Sequence, residues 1–158
     1  MTASLEMIRN ENTSLVQRVL ATDNGLAPLA LRVPTGIIFA AHGAQKLFGM
    51  FGGYGLEGTG QWMDSIGLAP GVLMALLAGS AEFFGGLALI LGLLARPAAL
   101  VLAVTMLVAL VAVHLDKGFF MATNGYEYAL ALLAVSVSIV FSGGGRASLD
   151  RALSTKRQ

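Results

Sequence analysis

Six ionisable side chains stand inside, or at the mouths of, long apolar stretches: Arg32, His42, Lys46, Glu82, His114 and Glu127. Such residues are costly in hydrocarbon, so they face a bundle interior or a cavity and are functional candidates by default. His42 and Lys46 are one helical turn apart, His114 closes the third apolar stretch, and Glu127 opens the fourth. These four are expected to converge at one mouth of a bundle. A histidine beside a carboxylate is equipped for proton transfer, because imidazole titrates near neutral pH. The same group would suit a quinone headgroup and its protons, or serve only as an interfacial polar cap. Two histidines on separate helices would also suit axial haem ligation, but no spacing motif accompanies them, and no metal is assigned.

Arg32 and Glu82 form a second layer. Counting about 1.5 Å per helical residue places Arg32 about 21 Å below Lys46, and Glu82 about 18 Å below Pro70. Both reach the same depth, and a mutual ion pair is expected there. It is read either as a stabilising buried pair or as part of a proton or ligand path. Gly79, Glu82 and Gly86 share one helix face, and small residues beside the acid let another helix approach closely.

The elements that must position these residues follow from composition. The chain has 158 residues, 56% hydrophobic and only 12% charged. A soluble domain carries roughly 25% charged residues, so an ordinary soluble enzyme and a disordered chain are both excluded. Net charge is +1, which advertises no nucleic acid. There is no cysteine, which removes disulfides, thiolate metal sites and thiol redox chemistry. Four apolar runs, about 27–48, 70–94, 97–115 and 126–141, approach the roughly 20 residues that cross a bilayer as a helix. They are too long and lack the alternation of strands. The expected fold is all-α, a four-helix transmembrane bundle. Pro28 and Pro34 are placed in the first turns of the first span, and Pro70 opens the second. A short turn at Arg96-Pro97 separates the second and third spans. Asn124-Gly125 turns into the fourth, and Gly143–Gly145 ends it.

One membrane domain, 27–145, is thus flanked by a segment 1–26 and a basic tail 146–158. Charges interrupt the first segment, so it is no signal peptide. Leu5, Ile8, Leu15 and Val19 allow a surface-lying amphipathic helix, with a polar leader as the alternative. Eight of the ten Lys and Arg lie on the side of the termini and of the Arg96 turn. That bias predicts both termini cytoplasmic. The outer loop 49–69 carries Phe51, Tyr54 and Trp62 and is Gly-rich without a phosphate-binding motif. It either roofs a pocket or forms a plain interfacial hairpin.

Several segments in this order resemble the DoxX family of small bacterial four-helix membrane proteins. They are Arg32 opening the first span, His42-Gly43-Ala44-Gln45-Lys46-Leu47-Phe48, Gly67-Leu68-Ala69-Pro70, Ala81-Glu82-Phe83-Phe84-Gly85-Gly86, Leu91-Gly92-Leu93-Leu94-Ala95-Arg96, Gly125-Tyr126-Glu127-Tyr128 and Ser142-Gly143-Gly144-Gly145-Arg146-Ala147-Ser148-Leu149-Asp150. The resemblance covers roughly Leu29 to Leu153, and Gly144 stands where the family pattern has proline. It implies a bacterial inner-membrane protein tied to quinone-linked oxidoreductases, notably a thiosulfate:quinone oxidoreductase subunit, or to oxidative-stress complexes. It points to Arg32, His42, Lys46, Glu82 and Glu127, to quinone as the cofactor, and to a redox partner protein or a second copy besides the lipid bilayer. Whether such a subunit has self-contained activity stays open. The alternatives are a small-molecule carrier and a membrane scaffold without catalysis.

Overall fold

The computed structural model describes residues 20–22 and 25–155. The expectation for Leu5, Ile8, Leu15 and Val19 lies outside them. Among the described residues there are helices and turns and no strand. In chain order the α-helices are α1 (Ala27–Phe48), α2 (Gly55–Ser65), α3 (Gly71–Leu91), α4 (Ala95–Ala109), α5 (Glu127–Ser142) and α6 (Leu149–Thr155). A π-helical turn, Leu110–His114, and a 3-10 turn, Leu115–Lys117, extend α4.

Local chemistry sets the boundaries. Pro28 sits in the first turn of α1, where its missing N–H is not needed. Pro34 lies deeper, inside the helix, rather than in the expected first turns. Gly49 ends α1 with φ 70°, a left-handed conformation open to glycine without penalty. The turn between α3 and α4 falls at Gly92–Leu94, earlier than the Arg96-Pro97 junction expected from sequence. Proline is compatible with the first helical turn, so Arg96 and Pro97 open α4 instead of separating the helices.

Two further helices stand where the sequence suggested a loop and a tail. Along α2, Thr59, Gly60 and Met63 are buried, while Glu57, Gln61 and Trp62 face outward. The helix lies across the start of α3, with Gly60 against Val72. The Asp64 carboxylate accepts the Gly71 N–H at 2.7 Å, meeting a backbone donor that the start of α3 leaves unpaired. The other addition, α6, begins after the Gly143–Gly145 turn.

The four long helices pack α1 on α3, α3 on α4, and α4 on α5, with α5 also reaching α1. Phe39, Leu89, Leu102, Met106, Leu132 and Ile139 fill the core between them. α1 and α3 run antiparallel and meet through glycines. A Cβ on Gly36 would stand 2.7 Å from the Gly86 carbonyl oxygen, and one on Gly43 2.7 Å from that of Gly79. No side chain larger than hydrogen fits, so the glycine face expected around Glu82 is a helix-packing seam.

Outside, the helices are oily. α3 and the 23-residue run Ala95–Lys117 are long and apolar enough to cross a membrane, yet only 28% and 22% of their apolar windows are buried. Leu76, Leu77 and Phe84 on α3, and Leu100, Val104 and Leu107 on α4, point away from the core. A core helix of a soluble protein would hide most of this surface.

The seam yields a test. Gly86→Val should destabilise the protein by about 1–3 kcal/mol through overpacking against Gly36 and Ala40. Val104→Ala on the exposed face should change stability far less. Thermal unfolding in detergent micelles checks both.

Candidate functional site

The starts of α1, α4 and α6 meet the ends of α3 and α5 at one end of the molecule. Helix ends leave backbone groups without intrahelical partners, and here side chains meet them. Arg32 is 2% exposed, yet among the described residues it has no carboxylate partner within salt-bridge distance. Its Nε donates to the Gly144 carbonyl at 2.9 Å, and Nη1 donates to those of Leu89 at 2.7 Å and Ile90 at 2.5 Å. Nη2 donates to the Ala147 carbonyl. The guanidinium therefore closes the C-terminus of α3 and ties it to the turn after α5, where cationic charge is also favoured by the helix dipole.

Asp150 does the converse. Its two carboxylate oxygens accept the N–H groups of Leu94 at 2.7 Å and Ala95 at 2.9 Å, at the start of α4. Burial pushes this carboxyl up from its ordinary range, while those two N–H groups and the guanidiniums of Arg32 and Arg96 pull it back. Arg96 donates to the carbonyls of Ala21 at 2.7 Å and Val140 at 2.8 Å, joining the end of α5 to the segment before α1.

The expected Arg32–Glu82 pair is therefore absent. Glu82 pairs instead with Lys46, Nζ to Oε2 at 2.6 Å, with side chains 4% and 23% exposed. The reason is register. α1 ends partway along α3, where Lys46 and Leu47 lie beside Gly79. α2 accompanies the remaining first turns of α3. Setting Lys46 level with the start of α3 separates it too far from Glu82, whereas it lies beside Gly79. Arg32, at the other end of α1, reaches Leu89 and Ile90, two turns beyond Glu82.

The expected convergence of His42, Lys46, His114 and Glu127 is only partly realised. His42 is exposed and its ring lies 6.2 Å from that of Tyr128 on α5. It shares one face of α1 with Lys46. His114 turns away, its Nδ1 2.8 Å from the Asn124 carbonyl oxygen. The Glu127 carboxylate accepts the Met121 N–H at 2.5 Å and so organises its own loop. Phe48, Phe83 and Phe84 pack edge to face beside the Lys46–Glu82 pair. The candidate site is thus Lys46 and Glu82 in an ion pair, with His42 and Tyr128 adjoining on the α1–α5 side. Glu82 is almost fully buried, so its charge depends on Lys46.

Relatives bear on this arrangement. The DoxX family profile matches residues 27–115, from the start of α1 through the π-helical turn. The chain belongs to the DoxX family. It is 36% identical to the protein named "Putative oxidoreductase CatD" of Bacillus subtilis over 125 residues, covering 79% of this chain and 85% of that protein. An uncharacterized protein of Haemophilus influenzae is 37% identical over 127 residues, 76% of this chain and 85% of its own. The uncharacterized membrane protein Rv3486 of Mycobacterium tuberculosis is 30% identical over 150 residues, 88% of each. No solved structure gives a significant match. The matched region holds Arg32, His42, Lys46 and Glu82, whereas Asp150 and Tyr128 lie beyond it.

Asp150 and Tyr128 were not among the residues singled out from sequence. Asp150 carried a usable signal: it is the one acid in an otherwise basic stretch after three glycines. Tyr128 carried none beyond its place in the Gly125-Tyr126-Glu127-Tyr128 segment, since an aromatic one residue into an apolar helix has no distinguishing pattern.

Two substitutions separate the roles. Arg32→Ala leaves four carbonyls short of a donor and should cost on the order of 3 kcal/mol or more. Arg32→Lys should recover little, because an ammonium lacks the planar fork. Lys46→Met strands a buried carboxylate and should cost about 3–5 kcal/mol, most of it regained in Lys46→Met/Glu82→Met. Thermal unfolding of the four variants reads both effects.

Proposed function

We propose that this DoxX-family chain is an integral membrane subunit of a quinone-linked oxidoreductase or redox-stress complex. α1, α3, α4 and α5 cross the bacterial inner membrane as a four-helix bundle, with both termini cytoplasmic. Helix α2 then lies at the outer surface and the Arg32–Asp150 end at the inner one. The observation that carries the proposal is the Lys46–Glu82 ion pair inside a bundle whose other buried charges are committed to helix ends. An ion pair beside an exposed histidine and a tyrosine offers what a quinone headgroup needs: a cation to hold a carbonyl oxygen, and a carboxylate and imidazole to exchange protons.

The residues divide the work. Lys46 would donate an N–H to a quinone oxygen while its ammonium stays paired with Glu82. Glu82 keeps that cation in place and accepts a proton. His42, the exposed member, passes protons between this interior and the surface. Quinone, when bound, supplies the two-electron chemistry. The chain has no cysteine, so electrons come from a partner protein or from a bound cofactor. The kinship with a protein named as an oxidoreductase supports this reading.

Titrating a short-chain quinone into the detergent-purified protein tests it. Wild type should bind, and Glu82→Gln and His42→Ala should weaken binding at least tenfold while His114→Ala changes it little. Absence of binding, or equal binding by all four proteins, refutes the proposal.

A further inference from the structure

We infer that α6 and the turn before it form an interfacial platform for anionic phospholipid headgroups, at the end organised by Arg32 and Asp150. This rests on the membrane placement proposed above. α6 has two kinds of surface. On one, Asp150 is 1% exposed and fastens the helix to the start of α4. On another, Leu149 and Leu153, one turn apart, are 42% and 44% exposed. Leu26, Leu94 and Phe141, at the same end of the molecule, are exposed as well and continue this apolar rim. Leucines at helical spacing beside the outer surface of a bundle suit the boundary between headgroups and acyl chains.

Charge selects the lipid. Residues 143–158 contain Arg146, Arg151, Lys156 and Arg157, and their single acid, Asp150, is buried. Arg146 is exposed, and its backbone N–H is fixed to the Gly25 carbonyl at 3.0 Å, so its side chain extends from an anchored turn. Basic residues next to an apolar helix face complement an anionic leaflet. A neutral protein surface would use the leucines and gain nothing from the charges.

The platform is coupled to the fold. Asp150 donates its own N–H to the Gly92 carbonyl at 2.9 Å while its carboxylate holds Leu94 and Ala95. Lipid that immobilises α6 therefore steadies the α3–α4 turn, and headgroup binding becomes readable as stability.

The full chain is placed in nanodiscs of phosphatidylcholine, with or without phosphatidylglycerol, and its unfolding midpoint is measured. The midpoint should rise by several degrees with phosphatidylglycerol. High salt should erase that rise, because exposed charges are screened. Arg146→Gln/Lys156→Gln/Arg157→Gln should abolish it, and Lys117→Gln, at the opposite end, should retain it. Equal midpoints in both lipids overturn the inference and point to a protein partner or second copy on α6 instead. A rise that survives high salt in wild type overturns it too, without recourse to any variant. Failure to insert into either bilayer defeats the membrane reading itself, and this inference with it.

Discussion

Helix ends in an apolar chain must find hydrogen-bond partners within the protein, and the rest of this structure follows from how they do so. A backbone N–H or carbonyl left unpaired in hydrocarbon costs several kcal/mol. One end of the molecule brings together the C-terminus of α3, the N-terminus of α4 and the C-terminus of α5. Arg32 answers the first, Asp150 the second and Arg96 the third. Together they fix the chain after α5 against the start of α1. They use charged groups, since hydrogen bonds to ions are stronger than neutral ones.

This allocation explains why Arg32 does not pair with Glu82. The guanidinium has five N–H donors and a planar geometry suited to several fixed acceptors. Four carbonyls surround it. Glu82, two turns along α3, is left for Lys46, which the early end of α1 brings within 2.6 Å. The glycine seam makes that approach feasible. Gly43 and Gly79 let the backbones of α1 and α3 come close enough for a lysine on one to reach a carboxylate on the other. Packing, register and the ion pair are therefore one constraint seen at three levels.

Much of this was legible in the sequence. The bounds of α1 and α5 followed from apolar run length and glycine stops, and the residues with chemistry inside those runs stood out because so few charges are present. Partners were harder to read. Depth along a helix depends on where neighbouring helices begin relative to one another, and α2 shifts that origin by occupying space beside the first turns of α3. α2 itself was hidden because its three glycines suit turns better than helix, and its burial against α3 supplies what propensity does not. His114 and Glu127 are both claimed by backbone groups of the short loop between α4 and α5. Loop conformation of that kind is decided by local hydrogen bonding that residue types alone do not specify.

The buried charges of one end hold helix termini, whereas the Lys46–Glu82 pair is the group we propose engages a ligand. Isotope-edited infrared difference spectroscopy, following the carboxyl bands as a short-chain quinone is added, addresses this division most directly. The account predicts a change in the band that Glu82→Gln removes and no change in the band that Asp150→Asn removes. A spectrum in which Asp150 responds and Glu82 does not would contradict it.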